Sequence, residues 1–221
     1  ATVSHYQANS ELRGFLAIAA AFIVIVTLYL LVAGEINGYS QSFRAAMFQV
    51  VSHITTTGYA STGFSHWPGM LPILMIMLAF IGGCSGSTSG GIKVARVQLV
   101  IQQGLRELKQ LVHPKAQFLV TMGGRRVSES VVISVAGFCA LYITVYLVLV
   151  LLLSADGMDL LTAFSAAAAC LNNLGPGLGQ VAVHFQVLSD FSTWLMSFAM
   201  LVGRLEIFTI LVLFTPAFWQ E

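Results

Sequence analysis

Residues 42–59 read SFRAAMFQVVSHITTTGY, an apolar segment followed by a polar strip that contains one glycine. The apolar part is shorter than the roughly 20 residues that a helix needs to cross the hydrocarbon core of a bilayer. Apolar segments of this length either lie buried in protein or enter a membrane without crossing it. Residues 160–177, LLTAFSAAAACLNNLGPG, repeat the pattern. We therefore expect two short helices, each followed by non-helical backbone.

Longer apolar stretches flank both short helices. Residues 15–33 and 131–153 are long enough to span a membrane, and so are two interrupted stretches, 68–101 and 191–219. The first is interrupted by GGCSGSTSGG at residues 82–91, and the second by Arg204 and Glu206. Gly58 and Gly175 lie 117 positions apart, and at this offset the two halves align. The order predicts an all-α membrane protein with two parallel repeats, each of span, short re-entrant helix, polar strip and second span.

The composition supports a membrane protein and excludes several other classes. Of the 221 residues, 57% are hydrophobic and only 9% are charged, whereas soluble domains average about 25% charged residues. Disordered chains and nucleic-acid-binding arms are excluded by the same figures. The three cysteines form no CxxC motif or Cys/His cluster, which argues against a disulfide framework or a zinc site. The polar start ATVSHYQANSELRG shows no signal-peptide pattern, so we expect a piece of a longer protein.

The distribution of charge predicts the orientation in the membrane. Lysine and arginine are enriched on the cytoplasmic side, and nearly all of these residues lie between the repeats or before the first span. Residues 104–128 are therefore expected to form a basic cytoplasmic linker, which either binds a regulator or anionic lipid or reflects only this bias. The polar strips enter from outside. The inner set is Arg13, Lys93, Arg96, Arg106, Lys109, Lys115, Arg125 and Arg126; the outer set is Glu35, Arg44, Asp156, Asp159 and Asp190.

The polar strips are suited to binding a cation. Non-helical backbone at membrane depth is tolerated only inside protein or along a water-filled path. Glycine allows successive carbonyl groups to turn toward one axis, where they can replace the hydration shell of K+. The alternative is that both strips are ordinary extracellular turns, which their matching positions after short helices make less favourable. The predicted filter residues are Thr56, Thr57, Gly58 and Tyr59 in the first strip and Asn173, Leu174, Gly175 and Pro176 in the second.

Four motifs together resemble a known family. TTTGY at 55–59, GGCSGSTSGGIK at 82–93, NNLGPG at 172–177 and VGRLEIFTILVLF at 202–214 are similar to the C-terminal half of bacterial Trk/Ktr potassium-uptake subunits of the TrkH/TrkG type. The resemblance covers nearly the whole chain. It implies half of a four-repeat, K+-channel-like pore in the bacterial inner membrane. Residues 1–103 would be the third repeat and 129–221 the fourth, so the first two repeats would be absent.

The resemblance also implies a gate and partners. Residues 82–91 would form an intramembrane loop below the filter, and Arg204, which we expect midway along the last span, would help to close the pore. Alternatively, Arg204 pairs with Glu206 or lies near a helix end. The family implies a homodimer and a cytoplasmic nucleotide-binding regulator of the TrkA/KtrA type, with K+ as the transported ion and no cofactor on this chain. The gate residues are Gly82, Gly83, Ser85, Gly86, Ser87, Thr88, Ser89, Gly90, Gly91 and Arg204.

The sequence suggests three interpretations other than K+ uptake by this chain. A P-loop at Gly86–Gly91 fails because Ile92 occupies the position of the required lysine. The run GCSG at 83–86 matches the GxSG motif of intramembrane serine proteases, with Ser85 as nucleophile, but no histidine base is expected nearby. The chain could also be a non-conducting half that needs a partner half. No ATP-hydrolysing motif is present, so we expect transport down an ion gradient, with H+ or Na+ coupling left open, and no enzymatic activity.

Overall fold

The computed structural model describes residues 9–36, 38–205, 207–213 and 216–219. The helices fall into two successive groups. The first group contains α1 (Ser10–Ala33), α2 (Tyr39–Ile54), α3 (Leu71–Ile81) and α4 (Val94–Val112). The second contains α5 (Glu129–Ala155), α6 (Leu160–Leu171), α7 (Asp190–Arg204) and α8 (Ile207–Leu213). Short 3-10 turns occupy Phe64–His66, Gly179–Val181 and Pro216–Trp219.

The predicted helices are present, and the predicted fold class is confirmed. Within the described ranges, α1 and α5 are the two helices long and apolar enough to cross a membrane. The side chain of Asn9 caps α1 by accepting hydrogen bonds from two N–H groups of its first turn. The short helix α6 has the predicted bounds, and α2 begins at Tyr39 instead of residue 42. Each short helix follows a spanning helix and precedes an interrupted one.

The linker between the repeats contains the only strands of the described residues. Strands β1 (Thr121–Met122) and β2 (Arg125–Arg126) pair antiparallel through a two-residue turn. The hairpin is not among the predictions made from the sequence, although the Gly-Gly pair at 123–124 is a signal for such a turn. The helix α4 continues across the predicted boundary between residues 103 and 104 and ends at Val112, so the first part of the basic linker extends the broken span as a helix.

Both short helices end in the same backbone turn. A residue with positive φ follows each helix cap, Thr56 at 52° and Asn173 at 54°, and two N–H groups bond back to the last helical turn. This is the Schellman pattern. It recurs at the predicted offset of 117 positions, although the residues differ. The bonds are Thr56 N to His53 O (3.0 Å), Thr57 N to Ser52 O (2.8 Å), Asn173 N to Cys170 O (3.1 Å) and Leu174 N to Ala169 O (2.8 Å).

The helix α6 lies at the centre of the packing. It contacts α5 and α7 of its own repeat and α3 of the other repeat. Residues 166–171 are completely buried, and most of them are alanine. Small side chains let neighbouring helices approach closely, which is the usual basis of helix association in membranes. The contact between α3 and α6 joins the two repeats.

The last apolar stretch is not one helix. The helix α7 ends at Arg204, and α8 begins at Ile207. Arg204 is therefore the last residue of a helix, which is the alternative position named above, and its side chain is exposed rather than buried. Glu206, its suggested partner, lies outside the described residues. The two charged residues mark the interruption in the sequence, but hydropathy reports side-chain polarity and does not show whether the backbone helix continues through them.

The crossing of α7 and α6 yields a stability prediction. A methyl group on Gly203 would lie 1.9 Å from the carbonyl oxygen of Leu171. We expect Gly203→Ala to separate the two helices and to lower the free energy of unfolding by about 1–3 kcal/mol. On α5, a methyl group at Gly137 would meet no atom within 4 Å, so Gly137→Ala is the matched control. Equal melting temperatures of the two variants in one detergent would contradict the packing described.

Candidate functional site

The first strip, residues 55–59, departs from α2 in a strained conformation. Thr56 adopts a left-handed conformation with φ of 52°, which is unusual for a β-branched residue. Strain of this kind persists only where the surrounding structure enforces it. Gly58 has φ of 79°, and the hydroxyl of Ser52 donates to the carbonyl of Tyr59 at 2.6 Å. Thr57 and Tyr59 are exposed, whereas Thr56 is buried.

The second strip, residues 172–177, is held by a buried asparagine. The side chain of Asn172 donates to the carbonyl of Ala168 at 2.8 Å and accepts from the hydroxyl of Tyr142 at 2.6 Å. Asn173 occupies the position of Thr56, and its amide donates to the carbonyl of Met200 on α7 at 3.3 Å. Both asparagines therefore connect the strip to neighbouring helices. Leu174 is buried, Pro176 is half-buried and Gly175 is exposed.

The two strips lie against each other at Gly58. A side chain there would place its Cβ 1.9 Å from the carbonyl oxygen of Leu174 and 3.3 Å from the ring of Pro176. Only a residue without a side chain permits this approach and also adopts the positive φ at low cost. The structure thus brings together predicted filter residues from both repeats.

The glycine segment, residues 82–91, interrupts the span between α3 and α4 as predicted. Two backbone hydrogen bonds close its ends, from Ile92 N to Phe80 O at 2.9 Å and from Val94 N to Gly83 O at 3.0 Å. The glycines at both ends, 82, 83, 90 and 91, are buried. Residues 85–88, the tip of the segment, are exposed. The segment therefore has a fixed base and an exposed tip.

Lys93 belongs to the glycine segment rather than to the cytoplasmic linker. Its ammonium group donates to the carbonyl of Ser87 at 2.9 Å and also to the carbonyl of Ser89. The hydroxyl of Ser89 in turn accepts from the N–H of Gly83 at 2.8 Å. Lys93 is only 9% exposed. The charge distribution alone groups Lys93 with the inner basic residues. Its position directly after the apolar Ile92 is the sequence signal that it packs against the glycine segment instead.

Gly90 contacts both strips. Its N–H donates to the hydroxyl of Thr56 at 2.8 Å, and both groups are buried. On its other side, a Cβ would lie 1.9 Å from the carbonyl oxygen of Asn172, so only glycine fits between the strips. The base of the glycine segment is therefore fixed directly beneath the two helix turns that begin the strips.

The tip of the glycine segment faces a cavity and is held by Arg204. The guanidinium donates to the carbonyl of Thr88 at 2.5 Å. Arg204 reaches the carbonyl of Thr88 from the C-terminal end of α7. The cavity has a volume of about 220 Å³, and two cationic side chains line it. The lining residues are Ser85, Ser87, Thr88, Ser89, Gly91, Lys93, Phe138, Tyr142, Val202, Gly203, Arg204 and Ile207.

Ser85 lacks the surroundings of a nucleophile. Its hydroxyl donates to the carboxylate of Glu11 at 2.9 Å. Among the described residues no histidine forms a hydrogen bond with Ser85. Serine catalysis requires a base within hydrogen-bond reach. That part of the chain does not supply one, and the protease alternative gains no support.

Two carboxylates lie in the connection between α5 and α6, where Asp156 follows α5 and Asp159 precedes α6. Hydrogen bonds from the hydroxyls of Ser189 and Ser192 hold the pKa of Asp156 below its usual range. Asp159 caps α6, and its hydrogen bonds from Thr162 likewise lower its pKa. Both groups are therefore ionised at neutral pH, and they place negative charge in the connection between α5 and α6.

Comparison with known proteins identifies close relatives. A family model described as "TrkH: Cation transport protein" matches residues 5–221. The chain is 48% identical to the Trk system potassium uptake protein TrkH of Vibrio parahaemolyticus over 98% of its length. It is 44% identical to TrkH of Escherichia coli over 98% of its length. In both cases it covers 45% of the relative, so it spans about half the length of these proteins.

A solved structure shares the fold. The crystal structure of the potassium transporter TrkH from Vibrio parahaemolyticus superimposes with a TM-score of 0.92 at 48% identity. The match covers 97% of this chain and 46% of that one. At this identity the likeness extends from topology to the placement of individual helices.

The bond between Gly90 and Thr56 can be tested by two substitutions at one position. Thr56→Val keeps the β-branched shape but leaves the buried N–H of Gly90 without an acceptor, which costs about 1–3 kcal/mol. Thr56→Ser retains the hydroxyl and serves as the control. We expect a lower melting temperature for the valine variant than for the serine variant. A valine variant as stable as the wild type would show that this bond contributes nothing.

Proposed function

The chain belongs to the TrkH family of cation transport proteins, and from this premise we propose that it forms half of a gated pore for K+ uptake across the bacterial inner membrane. The observation that carries the proposal is the position of Gly90. One residue of the glycine segment contacts the beginnings of both polar strips. A selectivity filter and a gate directly beneath it require such an arrangement, because the gate must close the path that the filter defines.

The strips supply the filter. Carbonyl groups of residues 56–59 and 173–176 replace part of the hydration shell of K+. The short helices α2 and α6 point their C-terminal ends toward the strips, and the negative end of a helix dipole favours a cation. The ionised Asp156 and Asp159 raise the local cation concentration at the outer mouth. The ion is the transported substrate, and no cofactor takes part.

The glycine segment supplies the gate. Its base is bonded to α3, α4 and the strips, whereas its tip is held by side-chain contacts such as that of Arg204. Lys93 and Arg204 place positive charge beside the cavity below the strips, and this charge opposes the passage of a cation. Opening moves the tip of the segment and the guanidinium of Arg204 away from the path.

Two further repeats complete the pore in this proposal. On α2, Met47 and Val51 are each 43% exposed, whereas Ala168, the counterpart of Val51 in the second repeat, is completely buried. The helix α3 packs against α6. A spanning helix of a preceding repeat would cover α2 in the same way, so the half chain alone does not enclose the filter.

The partners follow from the same proposal. The complete protein forms a homodimer and binds a cytoplasmic regulator of the nucleotide-binding TrkA/KtrA type. The basic linker, residues 104–128, is the surface on which the regulator or anionic lipid acts. Transport follows the K+ gradient, with H+ and Na+ as the candidate coupled ions, and the chain catalyses no reaction.

The filter assignment predicts the effect of Gly58→Ser. A residue with a Cβ at this φ is strained by about 1–3 kcal/mol, and the group would collide with Leu174. We expect selectivity for Rb+ and K+ over Na+ to fall roughly tenfold, since about 1.4 kcal/mol corresponds to a factor of ten. Gly104→Ser on α4, where a Cβ meets no atom within 4 Å, is the control. Uptake in a transport-deficient host measures both, and unchanged selectivity would refute the assignment.

The gate assignment predicts the effect of Arg204→Ala. Loss of the bond to Thr88 and of the positive charge should raise Rb+ flux in the absence of regulator, on the order of tenfold for a charged hydrogen bond. Arg204→Lys keeps the charge and should raise the flux less. Arg44→Ala, on the outer side, is the control. Basal flux that is the same in all three variants would contradict a role of Arg204 in closing the pore.

A further inference from the structure

A carboxylate from the start of α1 contacts the tip of the glycine segment. The Oε1 atom of Glu11 accepts two hydrogen bonds from Ser85, one from its N–H at 2.5 Å and one from its hydroxyl at 2.9 Å. Glu11 lies in the first turn of α1, which the side chain of Asn9 caps. The partners are 74 positions apart in the chain, so only the fold brings them together.

Glu11 and Arg204 hold the tip of the segment from two different helices. Glu11 on α1 accepts from Ser85, and Arg204 on α7 donates to Thr88. Hydrogen bonds with an ionised partner are about twice as strong as those between neutral groups. The base of the segment is bound to the strips through Gly90. The contacts of Glu11 and Arg204 therefore connect the exposed tip to helices outside the segment.

The position of Glu11 depends on how α1 packs against α4. The two helices are in contact, and the side chain of Gln98 on α4 lies directly over Gly14 of α1. The same helix α4 leads from the glycine segment into the basic linker. A displacement of α4 relative to α1 thus changes the distance between Glu11 and Ser85.

We infer that Glu11 is a positioning residue of the gate, which holds the tip of the glycine segment in its closed position by binding Ser85. The inference rests on the proposed function of the segment as a gate. It assigns opposite charges to Glu11 and Arg204, the two anchors of the tip that come from α1 and α7. The anion binds donors of the tip on one side, and the cation binds an acceptor on the other.

The adjacent Cys84 provides a direct readout of the tip. Cys84 is half-buried, and Cys139→Ala and Cys170→Ala, with removal of any other cysteine of the complete protein, leave it as the single thiol. Its rate of reaction with a membrane-impermeant maleimide in inside-out vesicles, measured across a pH range and compared per thiolate, reports the exposure of the tip. Glu11→Ala should raise this rate on the order of tenfold. Glu11→Gln keeps an oxygen acceptor without the charge and should raise it less.

Rb+ flux without regulator is measured on the same variants. Glu11→Ala should raise it in parallel with the labelling rate, and Glu11→Gln should raise it less. Glu129→Ala is the matched control, because Glu129 also lies in the first turn of a spanning helix but pairs with Arg106 at 3.2 Å. Size-exclusion profiles confirm that each variant folds.

Labelling in Glu11→Ala that does not exceed that of Glu129→Ala would overturn the inference, as would faster labelling with unchanged flux. Absence of Rb+ flux in the wild-type protein with its regulator present, and in every gate variant, would instead refute the proposed function. The labelling rates would still show whether Glu11 holds the tip, so the two failures are distinguishable.

Discussion

The contact of Gly90 with both polar strips is the constraint on which the remaining structure depends. Its N–H bonds to the hydroxyl of Thr56, and its Cα lies close to the carbonyl of Asn172. This contact explains why Thr56 keeps a left-handed conformation that a β-branched residue seldom adopts. It also explains why the segment is rich in glycine, since the backbone itself fills the space beneath the strips.

Non-helical backbone inside a membrane must find hydrogen-bond partners within the protein. The base of the glycine segment finds them in the backbone of α3, in the hydroxyls of Ser89 and Thr56, and in Lys93. The tip relies on the charged side chains of Glu11, Lys93 and Arg204. The two kinds of contact differ in how easily they break. Backbone bonds within a buried base are lost only when the fold opens, whereas a side-chain contact at an exposed tip exchanges readily with water.

The two repeats reach the same geometry with different residues. The turn after the short helix uses Thr56 in one repeat and Asn173 in the other, with nearly equal φ. Asparagine accepts a positive φ readily, and threonine does so only with support from Gly90. The short helices differ in burial as well: α6 is enclosed by three helices, and α2 keeps an exposed apolar face. The described residues thus cover the short helix of the second repeat and leave one face of the short helix of the first repeat exposed.

Hydrophobic length, glycine content and the repeat offset were sufficient to determine the class, the order of the helices, the bounds of α6 and the break at residues 82–91. These features depend on local composition, and helices and their interruptions follow from it. The contacts of Lys93, Glu11 and Arg204 were decided only by the tertiary structure. In the sequence, Lys93 resembles a charge of the linker and Glu11 resembles an ordinary residue at the start of a helix. Arg204 resembles a charge midway along a span. A sequence shows the polarity of each side chain but not the partner that the fold places beside it.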